Sequence, residues 1–274
     1  MILLIDIGNT RIKIGFLPRG HKHRTPLIYT LLHPQASTAG RLLTSFLNTH
    51  YPHITPCAAV GVTVAADSVS SALSQQLADT LNLQVQWLNG ASPIDRLING
   101  YDSPEKLGAD RWLAMAGVAD LHATEPVLLA TFGTATTVDS LVHSAQETRF
   151  IGGLILPGPA LMRQALTQGT ARLPEASSVT ADFPSHTHQA IWTGIAAAQA
   201  GAVVRQFEKL WHTTQQQPHI VCSGGGWHDV QDETHDMLCR AQQRYGLETR
   251  PVIWREAPVL DGLARYALHI THTI

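Results

Sequence analysis

Ile2-Leu3-Leu4-Ile5-Asp6-Ile7-Gly8-Asn9-Thr10 and Val127-Leu128-Leu129-Ala130-Thr131-Phe132-Gly133-Thr134-Ala135-Thr136-Thr137 are the two stretches that decide the fold. Each reads as an apolar strand, a tight glycine turn and a second strand. Glycine lets the backbone bend sharply and approach a ligand, and the neighbouring Asn and Thr residues and free N–H groups offer donors to phosphate oxygens. Two such turns, about 125 residues apart, imply a duplicated phosphate clamp. Asp6 ends the first apolar strand, where a carboxylate suits Mg²⁺, a hard cation that takes carboxylate, phosphate and water oxygens. The combination points to an ATP-dependent phosphotransferase. Taken singly, either turn is also compatible with a plain hairpin, since Asn and Gly are ordinary turn residues. A hairpin needs only one of them, and both stretches carry hydroxyls and amides in excess of that need.

Outward from these turns, the composition narrows the class. A chain of 274 residues can bury a sizeable core in one large domain or two lobes. Its net charge of -2 gives no basic footprint for nucleic acid or an anionic membrane, so neither is expected as a partner. The basic run Arg19-Gly20-His21-Lys22-His23-Arg24 reads as a solvated loop tip after the first hairpin. Cys57, Cys222 and Cys239 are unevenly spaced, which fits a reducing compartment and neither a disulfide framework nor a zinc site. The opening apolar run stops at Asp6 without a basic flank and reads as a buried strand, not a signal peptide. No stretch approaches the ~20 apolar residues of a membrane span. A cytoplasmic protein is expected. The close histidine pairs, His21 with His23, His186 with His188 and His269 with His272, lack a Cys or carboxylate at ligand spacing and are not read as metal sites.

The periodicities predict strands over 2–17 as a hairpin, 58–64 and 84–88, and helices over 39–47 and 109–121. Another helix, starting at a capping Asp67, carries Val69, Leu73, Leu77 and Leu81 at four-residue spacing. Residues 89–106 are rich in Gly, Pro, Asn and Asp and read as loop. A second half restarts at Val127, with strands over 138–142, 150–156, 219–222 and 251–254. Its helices are predicted over 158–168, 189–211, 229–245 and 259–268. The long helix interleaves Gly194, Gly201 and several alanines, a pattern that favours close packing. Strands leading into helices, in two halves each begun by a phosphate hairpin, give a duplicated α/β fold of two lobes, 1–117 and 118–274, with a central cleft.

Gly108-Ala109-Asp110-Arg111 opens the predicted helix at 109. At a helix N-terminus Asp110 stays ionised to accept a proton, and Arg111 can grip an anion bidentately. A surface acid paired with its neighbour would look the same from these four residues.

The set resembles a known family. Asp6-Ile7-Gly8-Asn9-Thr10, Tyr101 followed by Gly108-Ala109-Asp110-Arg111, Gly133-Thr134-Ala135-Thr136-Thr137-Val138-Asp139, Gly152-Gly153-Leu154-Ile155-Leu156-Pro157-Gly158 and Leu260-Asp261-Gly262-Leu263 occur in the order found in type III pantothenate kinases. The chain looks most like the branch named Bvg accessory factor. The resemblance spans nearly the whole chain. It implies an acetate and sugar kinase/Hsp70/actin-like fold, a homodimer, and transfer of the γ-phosphoryl group of ATP to the primary hydroxyl of pantothenate in the first step of coenzyme A biosynthesis. It further implies that Asp6, Ile7, Gly8, Asn9, Thr10, Arg11, Ile12 and Lys13 bind ATP, with Asp6 near Mg²⁺ and Thr134 on the nucleotide from the second turn. Tyr101, Gly108, Ala109, Asp110, Arg111 and Thr187 would line the pantothenate pocket, with Asp110 the proton acceptor and Arg111 suited to the substrate carboxylate.

One position departs from the family pattern. Where relatives carry Asp two residues before the second glycine, coordinating a monovalent cation, this chain has Thr131. A neutral hydroxyl offers one oxygen and no charge, so a K⁺ or NH₄⁺ site is expected to be weaker or absent. Gly224-Gly225-Gly226, after the strand over 219–222, sits where kinases of this fold approach adenosine, and it reads equally as a flexible loop. The competing reading is a regulatory accessory protein of the same fold, with little or no kinase activity. A sugar-kinase-like or exopolyphosphatase-like phosphotransferase would share the glycine turns but not the segment from Tyr101 to Arg111.

Overall fold

The computed structural model describes residues 1–121, 124–169 and 180–271. The chain forms two compact units, Met1–Asp120 with Ala257–Ile274, and Leu121–Glu256. In chain order the first holds β1 (Ile2–Ile7), β2 (Arg11–Leu17), β3 (Ile28–Leu32), α1 (Ala39–His50), β4 (Ala58–Thr63), α2 (Asp67–Leu81), β5 (Val85–Trp87), β6 (Leu97–Asn99) and α3 (Ala109–Val118). The second holds β7 (Val127–Phe132), β8 (Ala135–His143), β9 (Thr148–Pro157), α4 (Pro159–Gly169), α5 (Thr187–Thr214), β10 (His219–Ser223), α6 (Gln231–Arg244) and β11 (Ile253–Trp254). The closing helix α7 (Pro258–Thr271) belongs to the first unit.

In the first unit the strands run β3-β2-β1-β4-β5, with β1 antiparallel to β2 and parallel to β4. Successive side chains on a strand point to opposite faces. Leu3, Ile5 and Ile7 therefore join Ile12, Ile14 and Phe16 in the core beneath α1 and α2, with Leu43, Leu47, Leu73 and Leu77. Leu4 and Asp6 take the other face, and α7 lies along β1. The register sets Lys13 directly opposite Asp6. α7 packs on α3 because two glycines bare the backbones at their crossing. A Cβ on Gly262 would run into the Leu113 carbonyl oxygen, and one on Gly117 into that of Pro258.

The second unit repeats the plan. Its strands run β11-β10-β7-β8-β9, with β7 antiparallel to β8 and parallel to β10, the same order and senses as β5-β4-β1-β2-β3. Leu128, Ala130 and Phe132 of β7 meet Ala196, Val203 and Phe207 of α5 and Leu238 of α6 in its core.

Several expectations shift. The strand at Ile28–Leu32 has no clear signature in the sequence, because it is a short edge strand whose Thr30 and Leu32 are exposed. Residues 97–99 form a strand inside the segment read as loop. Asp67 lies in the first turn of α2, not at its cap; Ala66 takes the extended cap conformation without a side-chain bond, and the acid favours the helix from within. Gly194 and Gly201 face open space, because the buried stripe of α5 runs through Ile195, Ala196, Gln199, Ala200 and Val203. Arg24 is not part of a solvated tip. Its side chain is 10% exposed and its Nε donates to Asp261 Oδ1 at 2.7 Å, while Arg19 to Lys22 are exposed.

Candidate active site

The first turn forms because β1 and β2 must reverse over three residues. The Gly8 N–H closes it on the Arg11 carbonyl at 3.0 Å, and His33, just after β3, donates Nε2–H to the Gly8 carbonyl at 2.8 Å. Asn9, Thr10 and Arg11 are exposed, whereas the side chains of Ile7 and Ile12 are fully buried in the core. Those two isoleucines can therefore offer a ligand only their backbone. Nothing in the sequence marks His33, because its partner is a backbone oxygen 25 residues away.

At the end of β1, burial pushes the Asp6 carboxyl up from 3.8 to about 6; Lys13 opposite counters this and the nearby Asp110 adds to it. The structure thus brings Asp6, Lys13 and Asp110 together in one unit. A carboxylate disfavoured by burial and by a like charge gains most from a cation, so the donor set fits Mg²⁺. Among the described residues no group of three or more His, Cys, Asp or Glu could cage a metal ion. Asp6 would supply such an ion one carboxylate, and Mg²⁺ commonly takes the rest of its shell from phosphate and water oxygens.

Asp110 stands in the first turn of α3, after Gly108 at the cap. It is half-buried, and its Oδ1 accepts the Arg111 backbone N–H at 2.8 Å. That bond ties the carboxylate to the first turn of the helix, where the dipole favours negative charge. Arg111 is 6% exposed. Its Nη1 donates to the Tyr101 hydroxyl at 2.7 Å, and its guanidinium carbon lies 5.6 Å from that ring's centroid. A guanidinium fork is a bidentate partner for carboxylates. Ala109 has a buried side chain and can contribute only backbone.

The second unit carries the other turn. There the Gly133 N–H bonds the Ala135 carbonyl at 3.1 Å and the Gly158 N–H bonds that of Thr134 at 2.9 Å, leaving Gly133 and Thr134 exposed. The glycine triplet is built onto this turn. Gly226 donates its N–H to the Phe132 carbonyl at 2.9 Å, and Gly224, at φ +94°, lies so close to the Phe132 backbone that no Cβ would fit. Thr131 is half-buried between Ser223 of β10 and Thr137 of β8. Thr187 is the exposed first residue of α5. An apolar groove of about 390 Å³ lined by Pro157, Leu161, Met162, Leu166, Ile191 and Ile195 contains none of the residues named for chemistry.

The type III pantothenate kinase family model matches residues 2–209. The type III pantothenate kinase of Bordetella bronchiseptica is 42% identical over 98% of both chains, and that of Bordetella pertussis 41% over 97% of both. Among solved structures, a conserved Baf family protein from Campylobacter jejuni superposes with a TM-score of 0.52 at 18% identity, covering 98% of this chain and 99% of that one. A glucokinase from an Antarctic psychrotroph gives 0.50 at 13% identity over 98% of both chains. The last two speak to the fold, the duplicated sugar kinase and actin-like architecture. With three-quarters of its length matched by the family model and near-complete coverage by curated relatives, the chain belongs to the type III pantothenate kinase family.

Proposed function

We propose a division of labour among these residues for the family's reaction, the ATP-dependent phosphorylation of pantothenate to 4'-phosphopantothenate that opens coenzyme A biosynthesis. Asp110 accepts the proton of the primary hydroxyl as that oxygen attacks the γ-phosphorus, and Arg111, beside Tyr101, holds the substrate carboxylate. Gly108, Ala109 and Thr187 complete the pantothenate contacts. The turn from Asp6 to Lys13 binds ATP, with Asp6 on Mg²⁺ and Lys13 offsetting phosphate charge, and Thr134 is a further nucleotide contact. Mg²⁺, when bound, neutralises charge on the transferred phosphoryl group.

The observation that carries this reading is the placement of two carboxylates in one unit, Asp6 at the end of β1 opposite Lys13 and Asp110 in the first turn of α3, one suited to a cation and the other to a proton. Thr131, flanked by Ser223 and Thr137, offers a monovalent cation only neutral oxygens, so dependence on K⁺ or NH₄⁺ is weak. A cytoplasmic homodimer follows from the resemblance to the family. Among the described residues no helix is long and apolar enough to cross a membrane. The accessory, non-catalytic reading is not favoured by membership of an enzyme family.

Phosphorus NMR of a reaction holding ATP, Mg²⁺ and pantothenate tests the assignment. A new phosphomonoester resonance coupled to the pantothenate methylene protons is expected. ATP turnover without such a product would overturn it.

A further inference from the structure

Tyr101 is held by a side chain that the division of labour above leaves without a role. Asn99, the last residue of β6, uses its amide in three directions. Nδ2 donates to the carbonyl oxygens of Gly90 at 2.8 Å and Pro104 at 3.2 Å, while Oδ1 accepts the Tyr101 backbone N–H at 2.9 Å. Both donors and one acceptor position are thus spent on backbone groups, and turning the amide over would set its oxygen against two carbonyls. The orientation is locked. One half-buried side chain ties the start of the segment before α3 to its end, and the third bond fixes where Tyr101 leaves the strand.

From Tyr101 the linkage continues into the pocket. Its hydroxyl accepts from Arg111 Nη1 at 2.7 Å and its ring lies beneath the guanidinium. The same segment is anchored independently to α3 by the Trp112 indole N–H, which donates to the Ser92 carbonyl at 2.8 Å. A guanidinium fork grips a carboxylate bidentately only when its plane is correctly set, and small misplacement of such a clamp is costly.

We propose that Asn99 is a positioning residue for pantothenate, orienting the Arg111 fork through Tyr101. This rests on the placement of Tyr101 and Arg111 in the pantothenate pocket. Asn99 spends its amide on backbone groups of its own segment, and so selects the loop conformation in which Tyr101 and Arg111 meet. Its loss therefore weakens pantothenate binding specifically and leaves MgATP binding and the chemical step alone.

The test is steady-state kinetics in both substrates for the full-length chain, with thermal unfolding alongside. Asn99→Ala is expected to raise KM for pantothenate about 10-fold, with KM for MgATP and kcat within about twofold. Asn99→Asp keeps the size but removes both donors and should match the alanine variant. In a Tyr101→Phe background, where the hydroxyl link to Arg111 is already cut, Asn99→Ala should add little. An unchanged KM for pantothenate, a fall in kcat with matching rises in both KM values, or the full effect persisting in the Tyr101→Phe background would each overturn the proposal. Arg111→Lys separates the two levels. If it raises KM for pantothenate while Asn99→Ala does not, only the positioning role fails; if it too is silent, the pocket assignment falls and the positioning role with it.

Discussion

At the residue scale the metal chemistry proposed here concerns two positions, Asp6 and Thr131. Burial and Asp110 together raise the proton affinity of Asp6, and the cation that would relieve this is Mg²⁺. Asp6→Asn keeps the shape and removes the charge, so the Mg²⁺ concentration giving half-maximal rate should rise by about 10-fold or more. A Mg²⁺ titration of rate checks it, and an unaltered curve would remove Asp6 from the metal site. At Thr131 the flanking Ser223 and Thr137 add only hydroxyls, and a full negative charge in a partly desolvated site attracts K⁺ far more strongly than a hydroxyl dipole. Rates in Na⁺, K⁺ and NH₄⁺ at fixed ionic strength should therefore differ little for the natural chain and diverge for Thr131→Asp. Strong K⁺ activation of the natural chain would show that other ligands build the site. Legibility in the sequence was uneven at this scale. Asp6 and Asp110 could be singled out because each has a local signature, an acid closing an apolar strand or opening a helix. His33 and Asn99 could not, because each acts on backbone oxygens brought near by β3 or β6, the two strands that propensity missed.

At the element scale the packing of α7 on α3 is the most demanding contact in the first unit. Gly262 and Gly117 face each other's helix backbone with no room for a methyl group, and α3 carries Asp110 and Arg111 at its start. Gly262→Ala must push the helices apart, a cost of about 1–3 kcal/mol by the usual penalty of overpacking. Urea denaturation should show that loss together with reduced turnover, whereas a variant as stable as the parent would mean that the helices are free to slide. Strong periodicity made the long elements visible in advance: β1, β7, α1, α2 and α5 were all expected where they occur, with ends displaced by a few residues. What the periodicity lacked was the partner. The sequence division put 259–268 with the second half because it follows that half in the chain, while the glycine-faced crossing with α3 groups it with the first unit.

At the scale of the whole molecule the repeated strand order is the clearest sign of duplication, since β3-β2-β1-β4-β5 and β9-β8-β7-β10-β11 match in order and in the sense of each named pairing. The two glycine turns hinted at it; the order of the outer strands could not be read from residues alone. The second unit also carries its own acid-sensitive tie. Glu125, before β7, accepts from Arg250 at 3.0 Å and from His219 of β10, and these bonds, that to Arg250 foremost, hold its carboxyl below the ordinary 4.5. A depressed carboxyl stabilises the fold fully above its unfolded value and loses that contribution as pH falls through the folded one. Natural protein should thus exceed Glu125→Gln in stability at neutral pH by under about 1 kcal/mol, the ceiling for a partly exposed pair, and the two should converge below pH 4.5. Thermal melts across that range check the sign, and a gap that widens in acid would refute it.

The claim on which the rest depends is that Asp110 takes the proton of pantothenate. Its direct measurement is ADP release by purified natural protein and Asp110→Asn, each with and without pantothenate, at saturating Mg²⁺ and ATP. Pantothenate-dependent release that falls by about 100-fold or more in the variant, with the fold intact by circular dichroism, is the predicted result. Near-normal pantothenate-dependent turnover in Asp110→Asn would contradict it.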